Sequence, residues 1–204
     1  MDETLSVYDR TRRLYLDRIG GLDWEAVAHR LGIEVHDHLL EVTLFKRRYV
    51  ITRENILDAK GKQVRHSIAV LLSQYLLRCP DDNPAAGSLV TYREFKDAAP
   101  FVGGFHNMAE RPIARHFSGR VESLESSCSK LGGAPFETDA GYELSYELPA
   151  LPKVPIFLMY NDKDEEFGAE CRLLFRRNAE AYLDMESLAI IGLVLQERLC
   201  KNGI

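Results

Sequence analysis

The sequence predicts an α+β fold: antiparallel strand meanders packed against several helices in a single compact domain over residues 1–204. Three observations carry that expectation. Hydrophobicity alternates with a period of two around residues 39–52 and switches to a period of 3.6 from residue 65. Strand-like and helix-like segments come in runs rather than in strand–helix alternation, which argues against a doubly wound parallel sheet. The chain has 204 residues, 46% of them hydrophobic and 28% charged. A chain of that length buries about 70% of its unfolded surface and needs no disulfide or metal staple.

The elements follow in order. Residues 4–19 read as an amphipathic helix with Leu5, Tyr8, Leu14, Leu16 and Ile19 as its apolar members, stopped by Gly20-Gly21. A short second helix starts at Asp23, whose carboxylate can cap the N–H groups of Glu25 and Ala26, and Gly32 closes it. In Leu39–Phe45 the residues Leu40, Val42 and Leu44 point one way, the mark of a half-buried strand. Lys46-Arg47-Arg48 is expected to form the turn, Tyr49–Thr52 the return strand and Lys60-Gly61 a further turn, together an antiparallel meander.

From Arg65, the stripe Ile68, Leu71, Leu72, Tyr75 and Leu76 predicts a helix that Pro80 stops. A strand over Ser88–Phe95 and a glycine-rich loop over Phe101–Phe105 are expected next. Pro112 suits a first helical turn, where its missing N–H costs nothing, so a helix is expected to open there and run to Phe117. Val121, Leu124, Cys128 and Leu131 mark another helix, closed by Gly132-Gly133. Strands over Tyr142–Leu148 and Val154–Tyr160 lead into the acidic turn Asn161–Phe167, after which two helix-like segments are expected. Asp184 caps the last helix. Its stretch Leu188–Leu195 is apolar all round, which predicts a central core position or a subunit contact, and Gly192 would let another backbone come close.

Composition excludes several functions. The net charge is −5, the acid is spread unevenly, and taken over residues 1–60, 61–160 and 161–204 no segment has the basic excess a phosphate backbone demands, which argues against nucleic acid. Cys79, Cys128, Cys171 and Cys200 lack the spacing of zinc or iron–sulfur motifs, and free thiols suit a reducing cytoplasm. The acidic start Met1–Thr4 has no signal-like apolar region, and no apolar run is long enough to span a bilayer, so neither export nor a membrane is expected.

Candidate chemistry centres on the acidic turn. Asp162, Asp164 and Glu166 alternate like the first ligands of a calcium loop, but Phe167 and Leu173 stand where such a loop needs Gly and Glu. The alternatives are a solvated turn or a ligand or cation site. His36 and His38, two apart on a strand, would share a face usable by a metal, with His66 or Asp37 as a further ligand; a structural reading as edge histidines competes. His106 and His116 could each serve as a general base. Tyr92, Arg93 and Glu94, beside Gly103-Gly104, could bind an anionic or aromatic ligand or form a structural ion pair. No nucleotide or nucleophile-elbow motif is present.

Tyr92–Phe95, Arg111–Phe117, Val154–Leu158 and Asp164–Phe167 resemble an uncharacterised family of anaerobic bacteria and archaea, domain of unknown function 3786. Leu174-Phe175, Tyr182-Leu183, the last helix, Trp24–Ala28 and the Gly32 stop look similar too, so the resemblance covers nearly the whole chain. Some relatives place a four-cysteine iron–sulfur segment, like that of corrinoid iron–sulfur proteins, ahead of the domain; the cysteines here do not form one. Relatives often carry His at the position of Gln74. The resemblance implies a setting in anaerobic redox or one-carbon metabolism, with a redox or corrinoid protein as a partner, and implies no reaction.

The leading expectation is a cytoplasmic small-molecule-binding or accessory domain without catalysis. Its ligand residues would be Tyr92, Arg93, Glu94, Arg115, Glu165 and Glu166, the arginines pairing with ligand anions and the glutamates accepting hydrogen bonds or holding a cation. A metal-assisted hydrolase using the carboxylates of turn 162–166 with a histidine is the second reading. A dimeric scaffold joined through the last helix is the third.

Overall fold

The computed structural model describes residues 7–202, so Leu5 lies outside the described residues. Helix α1 (Val7–Gly20) buries Leu16 and Ile19 but leaves Tyr8 and Leu14 more than 60% exposed. In α2 (Trp24–Leu31) Asp23 accepts the Ala26 N–H at 3.1 Å, and Gly32 closes the helix at φ 67°. Both end signals were legible, because capping depends on neighbours along the chain.

Strands β1 (Glu34–His36), β2 (Leu39–Leu44), β3 (Arg47–Ile51) and β4 (Ile56–Asp58) form an antiparallel sheet in that order. Leu40, Val42 and Leu44 are fully buried. The β2–β3 turn is Phe45-Lys46, with φ 46° and 61°, and Arg47 and Arg48 pair with Leu44 and Thr43 inside the strand, which corrects the expected Lys46–Arg48 turn. Two successive left-handed residues match the twist of the flanking strands. Burial of the Phe45 ring, which a local pattern does not show, offsets the strain of that conformation.

Helix α3 (His66–Leu77) turns its predicted stripe into the core. The second sheet has the order β5–β9–β8–β7–β6, with β5 (Leu89–Thr91), β6 (Ala134–Pro135), β7 (Leu144–Leu151), β8 (Val154–Asn161) and β9 (Glu170–Arg176), all neighbours antiparallel. The expected strand over Ser88–Phe95 stops at Thr91. There the Glu94 carboxylate folds back onto the Thr91 N–H and hydroxyl, both at 2.7 Å, and closes a 3₁₀ turn. The first segment after the acidic turn is β9 rather than a helix. Cys171, Leu173 and Phe175 are buried while Arg172, Leu174 and Arg176 are partly covered, a period of two that only Leu174 interrupts in the sequence.

The expected glycine-rich loop is helical. Helix α4 (Val102–Phe105) runs through a π-turn (His106–Glu110) into α5 (Arg111–Phe117). Pro112 sits in the first turn of α5, which runs to Phe117 as expected, but the chain enters it from the π-turn without a break. A proline there would strike the carbonyl of the preceding turn, and the wider π-turn just ahead makes room for it. Helix α6 (Val121–Lys130) ends at Leu131 and Gly132 as expected.

After α7 (Ala179–Tyr182), α8 (Met185–Asn202) packs against α3, the π-turn, α5 and α6, with Leu188, Ile191, Val194 and Leu195 buried and Asp184 accepting the Ser187 N–H at 2.8 Å. The close approach at Gly192 is made by the Phe105 ring rather than by a backbone. The two sheets meet where the Phe45 N–H donates to Ala150 O at 3.0 Å. Among the described residues no helix is long and apolar enough to cross a membrane.

Candidate functional site

Two of the four carboxylates of the acidic turn, Asp162 and Asp164, are engaged in shaping it. Asp162 accepts the Gly119 N–H at 2.7 Å, the Lys163 N–H at 2.8 Å and the Tyr160 hydroxyl at 3.2 Å. Burial pushes this carboxyl up, but those donors outweigh it and hold the group below the usual aspartate range. Asp164 accepts the Phe167 N–H at 2.7 Å and the Glu166 N–H at 2.8 Å, a side-chain-closed turn that also holds its pKa down. Glu165 and Glu166 extend into solvent.

The other predicted ligand residues do not join them around a hollow. Tyr92 lies in the core, its hydroxyl donating to Met185 O at 2.7 Å and its ring stacked on Phe105 at 4.3 Å. Arg93 is exposed, and Glu94 is spent on Thr91. Arg115 lines a 420 Å³ surface depression with Arg111, Ser118, Gly168 and Ala169, at the foot of the acidic turn. Tyr92, Arg93, Glu94, Glu165 and Glu166 do not line it.

The histidines also separate. His36 ends β1 while His38 sits in the following turn, so they do not share a strand face. Instead the ligand atoms of Glu34, His36 and Glu41 lie within 4.8 Å of one another, with Arg48 3.4 Å from Glu41 as a competing cation. His66 packs against Tyr8 at 4.6 Å. His106 Nδ1 lies 2.9 Å from the buried carboxylate of Glu110, which also accepts the Leu173 N–H at 3.0 Å. Burial, with Arg120 adding to it, lowers the pKa of His116.

A different site emerges at the mouth of the first sheet. A cleft of 940 Å³ opens between the β2–β3 turn, the loop that leaves β4 and the C-terminal half of α8. The turn and β3 contribute Lys46, Arg47 and Arg48; the loop contributes Lys60, Lys62 and Arg65; α8 contributes Arg198 and Lys201. Eight cationic side chains face two acidic ones, and both acids are committed. Glu197 pairs with Arg65 at 2.7 Å. Asp58 accepts the Lys60 and Lys62 N–H groups, each at 2.9 Å, and those bonds hold its carboxyl below the usual range. In a chain of net charge −5 this is a local concentration of positive charge.

Arg198 is the structural centre of the cleft. Only 5% of the residue is exposed, and its guanidinium donates to Leu44 O, to Phe45 O at 3.0 Å and to the Tyr49 hydroxyl at 2.9 Å, lying over the Phe45 ring at 5.4 Å. Its acceptors are neutral, and among the described residues no carboxylate pairs with it. Burial lowers its pKa to about 10, the mark of a cation held where solvent does not fully compensate it. Val64, Ile68 and Val194 supply an aliphatic floor.

None of these residues was singled out from sequence as a ligand residue. The only local signal is the triplet Lys46-Arg47-Arg48 with the spaced Lys60, Lys62 and Arg65; Arg198 is separated from them by more than 130 residues.

Fold and cleft together define an α+β domain of two antiparallel sheets with a cationic cleft beside its C-terminal helix. The chain belongs to the family described as Domain of unknown function (DUF3786), whose model matches residues 23–198. No curated protein and no solved structure matches it.

Proposed function

We propose that this chain is a small-molecule-binding domain without catalysis of its own, that its ligand is an anion, and that the ligand sits in the cleft between the β2–β3 turn and α8. The observation that carries this reading is the buried guanidinium of Arg198 at the base of a cleft whose two acids are already engaged. A buried charge without a counter-charge is costly to the fold, and an anion arriving from solvent offsets that cost. A concave volume of 940 Å³ lies within the range of small-molecule pockets. The acidic turn, with two of its carboxylates consumed by backbone N–H groups, serves in this reading as a structural loop between β8 and β9.

Charge reversal tests the reading. Lys60 and Lys62 are exposed, so Lys60→Glu with Lys62→Glu leaves the core untouched. Inorganic pyrophosphate should raise the melting temperature of the wild-type chain in a saturable way, and the double variant should lose that response. An equal response from the variant places the anion elsewhere and ends the assignment.

A further inference from the structure

We propose that the ligand of this cleft is an organic polyphosphate of nucleotide size, a nucleoside di- or triphosphate, with its phosphate chain reaching from Lys60 and Lys62 to the guanidinium of Arg198 and its ring system over Val64, Ile68 and Val194. The proposal rests on the anion-binding reading above and narrows it to one chemical class.

Three features select that class. The first is charge. With Arg65 paired to Glu197, Arg48 near Glu41 and Asp58 the remaining acid, the other six cations still leave more positive charge than a mono- or dicarboxylate neutralises, whereas a phosphate chain carries several negative charges in a short span. The second is the division of the lining. Lys60 and Lys62 stand exposed on the loop, while Val64, Ile68 and Val194 are buried apolar lining, so the cleft offers both cations and an apolar surface to one molecule. An inorganic anion would use only the cations.

The third feature is the placement of Arg198. Its hydrogen bonds to Leu44 O, Phe45 O and Tyr49 use both terminal nitrogens, and its Nε–H has no acceptor among the described residues. A guanidinium fixed in this way holds a spare charged donor in place, which suits a phosphate oxygen. Lys46, Arg48 and Lys201 complete a positive surround that raises the local concentration of any polyanion.

Titration calorimetry on the full chain at one fixed salt concentration tests this, using ADP, pyrophosphate, adenosine, citrate and a short single-stranded oligonucleotide. ADP should bind at least about tenfold more tightly than pyrophosphate or adenosine. The Lys60→Glu, Lys62→Glu variant should weaken ADP and pyrophosphate alike by at least about tenfold. Val64→Thr, nearly the same size, should narrow the advantage of ADP and leave pyrophosphate unchanged; if that variant fails to fold, the wild-type ratio of ADP to pyrophosphate still decides. Equal affinities for ADP and pyrophosphate, both lost in the double variant, would leave the anion site standing and overturn the nucleotide class. Tighter citrate binding would reassign the cleft to polycarboxylates, and tighter oligonucleotide binding with the same charge dependence would make it a nucleic-acid surface. No binding of any anion overturns this proposal and the anion-binding reading together.

Discussion

The ring of Phe105 occupies the space that a side chain on Gly192 would need, with Ala109 Cβ closing the same gap from the next turn. Phe105 has no room to retreat, because it stacks on Tyr92 at 4.3 Å and meets Phe175 at 6.1 Å. This contact locks α4 and the π-turn against α8.

Gly192→Ala should therefore destabilise the fold by about 1–3 kcal/mol, the usual cost of overpacking a filled core. Urea unfolding measures it. Adding Phe105→Leu should recover part of the loss, giving a favourable coupling energy in the double-mutant cycle. Strictly additive effects would contradict the contact.

Glu110 ties the π-turn to β9 through the Leu173 N–H, and to His106. Glu110→Ala leaves that buried N–H without its acceptor, at an expected cost of about 1–3 kcal/mol. Glu110→Gln retains a carbonyl for Leu173 and should cost less. If the two variants unfold at the same urea concentration, the Leu173 bond is not what Glu110 contributes.

Acid should weaken the protein through a definable set of carboxylates. Asp162, Asp164, Asp58 and Glu94 all have folded-state pKa values below their ordinary ones, because N–H or O–H donors favour the ionised form. A depressed carboxylate stabilises the fold above its unfolded pKa and loses that contribution as pH falls through the folded value. Stability should thus decline on acidification below about pH 4. Asp162→Asn should flatten that decline when urea midpoints are compared between neutral pH and about pH 3. An unchanged slope would remove Asp162 from the set.

Asp23→Ala removes the side-chain acceptor of the Ala26 N–H at the start of α2. The expected loss is about 1 kcal/mol. Hydrogen exchange at the first turn of α2 provides a local check, since amides there should lose protection first.

How far the fold was legible depends on the range of the forces involved. Asp23 and Asp184 as caps, Gly32 and Gly132 as stops, and the alternation of Leu40, Val42 and Leu44 are all decided by residues a few positions apart. The misreadings lie where tertiary burial overrides such signals. The apolar run Leu173-Leu174-Phe175 masked the alternation of β9, and Phe45 adopts a left-handed turn that its burial makes acceptable. Gly103 and Gly104, read as a loop, became helical because α4 packs beside α8.

By itself the sequence determined the α+β class, the order of most elements and the family resemblance, because periodicity and capping are local properties written along one chain. The cationic cleft was decided only by tertiary structure. Residues 46–65 carry seven bases against two acids, but Arg198 and Lys201 lie in a stretch that runs acidic, and nothing along the chain states that the two will meet. Folding sorts those charges by face instead of by position, bringing the bases to one mouth and engaging Asp58 and Glu197 locally. Hydrophobic pattern states which side of an element is buried; it does not state which polar sides will meet.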